Sequence, residues 1–253
     1  MSEQTIFNNL ILTWFGLAAL VFISLFFFTA PYGRHIRKDW GPNIDNKAAW
    51  VIMEAVAPLI FAVLFFLGSN PITTVTLVLL AMWEAHYIHR AFIYPLSIHS
   101  HSRQMPIVVM VIAFVFNAVN AYLNGRYIFT LSNGYTSQWL GDPRFIIGLG
   151  LFITGSIINR RADLTLHNLR KPGESDYRIP YSEMYRWISC PNYLGEIIVW
   201  IGWATTTWSL PGLAFVVWTI ANLVPRARAH HVWYHKRFPN YPKERKALLP
   251  WLW

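Results

Sequence analysis

Runs of apolar residues close to twenty long limit what this chain can fold into more than any other feature. The hydrocarbon core of a bilayer is about 30 Å thick, and an α-helix needs roughly 20 residues to cross it. Inside lipid every backbone N–H and C=O must find a partner within the protein, so such runs cross as helices. The chain offers seven candidate spans, some shorter than that: about Phe7–Ala30, Ala49–Leu67, Ile72–Leu96, Pro106–Leu123, Phe145–Ile158, Tyr193–Trp208 and Leu213–Val224. The fifth is short and is expected to begin earlier or to be buried by its neighbours. The chain is 55% hydrophobic and 13% charged, against about 25% charged in soluble domains. The expected fold class is all-α: a polytopic membrane protein with seven transmembrane helices in a single domain, 1–253. The first run has no basic leader and no small-residue cleavage site, so it is expected to be a retained helix.

The formal charge of +9 would suit a nucleic-acid binder, but the cations lie between the apolar runs. They collect in segments 31–48, 97–105 and 159–192 and in the tail 225–253, while Arg126 and Arg144 stand alone on the other side. Excess Lys and Arg marks cytoplasmic loops. The N-terminus is therefore expected outside and the C-terminus in the cytoplasm, with no nucleic-acid partner. One cysteine, Cys190, excludes an intramolecular disulfide.

Ionisable residues inside spans are costly and are candidates for function. Glu54 lies in WVIMEAVAP, and WEAHYIHRAFIYP carries Glu84, His86, Tyr87, His89 and Arg90. In the plainer reading the four charged or imidazole groups of the third run pair among themselves. Glu54 has no cation near it in sequence, so in apolar surroundings it is expected to be a neutral acid. A neutral acid and a tyrosine hydroxyl, if they converge, would together polarise a substrate carbonyl. The pairs His86/His89, His99/His101 and His231/His235 invite a metal reading, but no remaining ligands accompany them and none is expected. The glycines of GLGLFITG miss the dinucleotide spacing and suit close helix packing.

Two polar regions remain. Asn159 and Asp163 are i, i+4 on one helix face, Arg170 follows seven residues on, and Lys171-Pro172-Gly173-Glu174 reads as a turn ending the helix. Tyr177 comes next, Asn192 opens the sixth run and Glu196 lies one turn inside it. In the tail, Arg226, His230 and Tyr234 are four apart on one face. Arginine and asparagine suit a pyrophosphate, and carboxylates suit ribose hydroxyls or a carboxamide. An anchor on anionic lipid would explain YPKERK, but it gives no reason for buried acids and amides.

LRKPGESDYRIPYSEMYRWISCPNYLGEIIVWIGWATTTWSLPGLAF and RARAHHVWYHKRFPNYPKERKALLPWLW resemble the C-terminal half of the steroid 5α-reductase family. APYGRH, AAW-x-x-x-E, HYIHRAFIYP and SRQMP extend the resemblance into the N-terminal half. It implies seven helices enclosing NADPH from the cytoplasmic side and a steroid entering from the bilayer, in a bacterial homologue. By motif, Glu54 and Tyr87 resemble the pair that holds the steroid 3-keto oxygen, and Trp50 would line the steroid pocket beside Met53. Asn159, Asp163, Arg170, Tyr177, Asn192, Glu196, His230 and Tyr234 match cofactor contacts, as do Tyr32 and Arg103. The vertebrate pattern has Gln-Glu where this chain has Met53-Glu54, which removes one polar contact near the steroid A ring.

The resemblance thus implies conjugate reduction of a 3-oxo-Δ4 steroid, or another lipid-like 3-keto-4-ene, to a 5α-dihydro product. The protein would act as a monomer in a bacterial inner membrane, or in the endoplasmic reticulum if eukaryotic. PNYLGE and the basic tail also resemble S-adenosylmethionine-dependent isoprenylcysteine and phospholipid methyltransferases, and sterol-nucleus double-bond reductases share this region. Glu54 with HYIHR has no evident place in methyl transfer. A non-catalytic lipid-binding protein or transporter would need no nucleotide site.

Overall fold

The computed structural model describes residues 2–31, 33–35, 39–97, 104–169 and 176–253, and each of the seven apolar runs overlaps a helix in it. These helices are α1 (Glu3–Phe27), α2 (Asn46–Phe66), α3 (Thr74–Ile88), which continues through a π turn (His89–Ile93) into α4 (Tyr94–Ser97), α5 (Ile107–Arg126), α6 (Pro143–Asn168), α7 (Pro191–Thr207) and α8 (Leu210–Arg237). A second π turn, Tyr127–Leu131, extends α5. Five of them, α1, α2, α5 with its extension, α6 and α8, are long and apolar enough to cross a membrane. The continuous segment from α3 through the π turn to α4 does not meet that measure, carrying Glu84, His86, His89 and Arg90, and neither does α7 with 17 residues.

Most helix starts are set by local chemistry. Ser2, Asp45, Thr73, Asp142 and Ser209 each turn a side-chain oxygen onto an N–H of the first turn, and Thr73 forms a reciprocal capping box with Thr76. Such caps satisfy amides that the helix leaves without a partner. Asp142 also binds the Arg144 guanidinium at 2.8 Å, and this holds its carboxyl down at about 2.

Two boundaries differ from the apolar runs. The fifth run ends at Ile158, yet α6 continues through the polar segment to Asn168, and α8 likewise continues into the basic tail. Backbone hydrogen bonding carries a helix past the point where its side chains turn polar. The all-α expectation also needs a small correction: β1 (Asn43–Asp45) pairs antiparallel with β2 (Gln104–Pro106), with Ile44 opposite Met105. This pair joins the segment before α2 to the segment before α5.

Lipid-compatible surface faces outward. Leu12 and Leu20 on α1, Leu59 and Phe66 on α2, Ile112 and Val115 on α5, and Ile146 and Ile147 on α6 are exposed. The interior is aromatic. Trp83 on α3 is fully buried, stacked on Phe61 at 4.5 Å and tilted against Trp203 at 5.2 Å. Buried indole N–H groups need acceptors, and α5 supplies two: Trp203 donates to Asn124 at 2.8 Å, and Trp14 to Asn120 at 3.4 Å. Asn117, Asn120 and Asn124 are all buried on this helix. Their i, i+3, i+7 spacing puts them on one face.

The helix pair α6–α7 packs through glycine. A Cβ on Gly195 would lie 2.5 Å from the Asn159 nitrogen, and one on Gly155 would lie 2.5 Å from the Val199 nitrogen. Gly148 and Gly202 make the same kind of contact two turns further along. Small residues allow such close backbone approach in membrane helices, as expected for GLGLFITG. Since the crowding atoms are backbone, they cannot rotate away. Gly195→Val is expected to force α6 from α7 and cost roughly 1–3 kcal/mol, read as a lower thermal unfolding midpoint in detergent. Gly150→Ala, which meets nothing within 4 Å, should leave the midpoint unchanged.

Candidate active site

Three helices bring a first set of groups together. Glu54 on α2 and Tyr87 on α3 are 8% and 2% exposed, and both contact Asn117 on α5. Asn117 Nδ2 donates to Glu54 Oε2 at 3.3 Å and to the main-chain oxygen of Met53 at 2.7 Å. The Tyr87 hydroxyl donates to Asn117 Oδ1 at 3.4 Å. Glu54 and Tyr87 therefore do converge. Glu54 is not remote from positive charge, however. Arg90, in the π turn after α3, approaches Glu54 Oε1 with Nη2 at 3.5 Å. The cation is distant along the chain but adjacent in space.

Two of the ionisable groups of the third run, His86 and Arg90, reach other helices rather than one another, while Glu84 Oε1 is buried without a hydrogen-bond partner among the described residues. Arg90 turns to α2 and stacks its guanidinium over Trp50 at 4.9 Å. His86 Nε2 lies 3.2 Å from Glu196 Oε1 on α7. Trp50 is half-buried beside Tyr94, with ring centroids 5.3 Å apart, and the Met53 side chain packs among Ala49, Met105 and Trp50. The Met53 side chain offers no amide, but Asn117 brings one to the same level.

Glu196 is the hub of a second set. Its Oε1 also accepts from Trp200 Nε1 at 3.0 Å, and its Oε2 from Asn159 Nδ2 at 3.0 Å. Asn159 donates further to the Asn192 main-chain oxygen at 2.9 Å, and Asn192 Nδ2 donates to Asp163 Oδ1 at 3.1 Å. The chain Glu196–Asn159–Asn192–Asp163 thus places two amides between two carboxyl groups across the α6–α7 contact, where glycine packing brings the backbones together. Arg90 interacts electrostatically with Glu54, Glu196 and Asp163 alike, linking the two sets.

A third set surrounds Arg34, in a short 3-10 turn after α1. Its guanidinium lies 5.2 Å from the Tyr177 ring centroid and 4.7 Å from those of Trp233 and Tyr234. Burial opposes its charge, but Tyr234 beside it offsets that and holds Arg34 above the ordinary arginine value. His35 stacks near His230, centroids 5.2 Å apart, and burial and the Arg34 charge push it below the usual histidine value. Tyr193 and His230 Nε2 are 3.0 Å apart. A small cavity is lined by Thr29, Ala30, His35, Arg226, Ala229 and His230. Buried polar atoms normally have partners, but Arg34 Nη1, His35 Nε2 and His230 Nδ1 are buried with none among the described residues.

Of the residues that the sequence singles out, Tyr32, His99, His101, Arg103, Arg170 and the turn Lys171-Pro172-Gly173-Glu174 lie outside the described residues. Asn117, Trp200, Arg34 and His35 belong to these clusters and were not singled out. Asn117 carries no charge, and its signal was the asparagine spacing in VFNAVNAYLNG. Arg34 and His35 lie within the APYGRH string.

Other chemistry is less well provided for. Burial pushes the Cys190 thiol up to about 12, far from a reactive thiolate. Ser189 contacts His231 Nδ1 and Tyr241, each at 2.7 Å, which ties the C-terminal segment to α7. Among the described residues no three His, Cys, Asp or Glu side chains converge as a metal site.

The family model described as 3-oxo-5-alpha-steroid 4-dehydrogenase matches residues 103–253. The chain is 40% identical to a steroid 5-alpha-reductase DET2 of Gossypium hirsutum, covering 100% of this chain and 99% of that protein. It is 35% identical to 3-oxo-5-alpha-steroid 4-dehydrogenase 1 of Bos taurus with the same coverage, and 38% identical to the protein of that name in Homo sapiens over 87% of this chain and 85% of that one.

Removing the hub tests the second cluster. Glu196→Ala leaves the amide of Asn159, the indole of Trp200 and the imidazole of His86 without their common acceptor. Breaking one side of a buried ionic contact costs about 3–5 kcal/mol. Thermal unfolding should show a loss of that order, with Trp200 fluorescence altered in the folded state.

Proposed function

The chain belongs to the 3-oxo-5-alpha-steroid 4-dehydrogenase family, and from that premise we propose that it uses NADPH to reduce the Δ4 double bond of 3-oxo-Δ4 steroids to 5α-dihydro steroids. It is an oxidoreductase and an integral membrane protein. The observation that carries the finer reading is the meeting of Glu54 and Tyr87 at Asn117 inside an aromatic, apolar bundle.

Two side chains that reach one amide can also reach one carbonyl oxygen. The Tyr87 hydroxyl donates to the 3-oxo group, and Glu54 in its protonated form donates beside it. Both withdraw electron density along the conjugated system and meet the negative charge that develops on oxygen during reduction. Donors fixed in a site without bulk water are worth far more than the same groups in water. Trp50 and Met53 give this end of the site apolar walls. Arg90 holds the far oxygen of Glu54 and keeps the carboxyl from rotating away.

The donor set of this chain suits a dinucleotide. Among the described residues Arg34, His35 and His230 have nitrogens without partners; Arg34 supplies the charged donor that phosphate oxygens bind most strongly, and the two histidines can add neutral N–H donors beside it. Asn159, Asp163, Asn192 and Glu196 offer the donors and acceptors that a carboxamide and ribose hydroxyls require. Tyr177 and Tyr234 frame Arg34, and Tyr32, Arg103 and Arg170 complete the assignment by motif. Bound NADPH would supply the hydride, and the protein's share is to align, to bind charge and to exclude water. All seven helices cross the bilayer as one domain. The N-terminus lies outside and the C-terminal end faces the cytoplasm with the cofactor side. The protein acts as a monomer on a lipid-soluble 3-keto-4-ene, in a bacterial inner membrane or, in a eukaryote, the endoplasmic reticulum.

Tyr87→Phe removes the hydroxyl donor. Glu54→Gln substitutes a far weaker acid that does not pair with Arg90. Each is expected to lower turnover on the order of 10²-fold, the usual weight of an acid–base group. NADPH affinity, measured by titration of purified protein, should change little. Wild-type rates in both variants would contradict the carbonyl-polarising role.

A further inference from the structure

We infer that Asn117 is a positioning residue for the reduction: its amide holds the Tyr87 hydroxyl at one end and the near oxygen of Glu54 at the other, side by side for one substrate carbonyl. The inference rests on the function proposed above and adds a part for α5, which otherwise contributes nothing to the polarising pair.

The hydrogen bonds settle which way the amide faces. A main-chain carbonyl oxygen only accepts, so the Asn117 atom 2.7 Å from Met53 O must be nitrogen. Its oxygen is thereby turned to Tyr87, and the tyrosine must be the donor at 3.4 Å. The hydroxyl hydrogen, which could rotate freely about its C–O bond, is directed at one place. The second N–H of the amide reaches Glu54 Oε2 at 3.3 Å, while Arg90 holds Oε1 from the other side.

The lengths divide by role. The anchor to α2 is short, and the contacts to the two reactive groups are long. Hydrogen bonds weaken with length beyond about 3 Å, so a substrate carbonyl arriving at ordinary O–H···O distance would take the Tyr87 hydrogen from Asn117. Catalytic contacts that are loose before substrate and tight with it are the common pattern. Asn120 and Asn124 share the face but bind indole N–H groups of the core. Of the three, Asn117 is the one bonded to ionisable groups.

The test uses the full chain in detergent with NADPH and testosterone. Asn117→Leu keeps a similar volume without polar atoms. It should lower kcat about 10- to 100-fold, the scale of a misplaced reactive group, while KM for the steroid and NADPH affinity stay within about threefold. In a Tyr87→Phe background the same change should cost clearly less than it does in the wild type, because one of the two groups it positions is gone and only Glu54 still depends on it. A full multiplicative loss in that background, or a wild-type kcat for Asn117→Leu beside a crippled Tyr87→Phe, would overturn the positioning role alone. A wild-type rate for Tyr87→Phe would instead remove the carbonyl-polarising reading and this inference with it. Should Asn117→Leu not fold, Asn117→Asp keeps an oxygen for Tyr87 and regains a donor only when protonated. Its deficit should shrink as pH falls, and a deficit independent of pH would contradict the inference.

Discussion

A carboxylate one turn inside an apolar bundle persists only where donors meet its oxygens, and Glu196 meets that condition on three sides. His86 comes from α3, Trp200 from its own helix and Asn159 from α6. The Asn159 contact requires α6 and α7 to touch backbone to backbone, which glycine at 155 and 195 permits. Packing and polarity are thus one arrangement. The approach of the helices sets the amide in place, and the amide makes the buried charge tolerable. Arg90 then extends the arrangement to Glu54, so the groups proposed to polarise substrate and those proposed to hold cofactor share one electrostatic neighbourhood.

The chemistry proposed for the site follows from that neighbourhood. A conjugated ketone needs donors at its oxygen and a hydride donor held nearby, with water kept away from both. The aromatic core around Trp83, Trp200 and Trp203 supplies the dry wall. Tyr87 and Glu54 stand at its edge, and the cluster around Arg34, whose nitrogens lack partners among the described residues, is the proposed place for the cofactor's negative charge. The family relationship supplies the reaction class, and the geometry suggests which side chain does what.

Much of this was legible in the residues. Apolar runs located the helices, because lipid-compatible segments long enough to cross admit little else. Charge inside those runs drew attention to Glu54, His86, Tyr87 and Arg90, since such groups are expensive there. The partners were less legible. The third run suggests an internal cluster, whereas Arg90 points to α2 and His86 to α7, because residues at successive helix positions face different neighbours. Arg90 beside Glu54 is a contact between residues 36 apart, and no local pattern announces it. Asn117 escaped notice because an uncharged amide in VFNAVNAYLNG looks tolerable without a role. Its meaning appears only when Met53 O, Glu54 and Tyr87 surround it. The polar ends of α6 and α8 are legible by spacing where hydropathy fails: Asn159 with Asp163, and Arg226, His230 and Tyr234, recur at helical intervals while the backbone ladder continues. The β1–β2 pair is too short to leave a period in the sequence.

Steroid-dependent oxidation of NADPH by the purified wild-type protein tests the central claim most directly. Testosterone or progesterone would be supplied in detergent and the products separated by chromatography. The account predicts NADPH oxidation only when steroid is present, with one 5α-dihydro steroid formed per cofactor consumed. Binding of S-adenosylmethionine in place of NADPH, or NADPH bound while every 3-oxo-Δ4 steroid is returned unchanged, would contradict it.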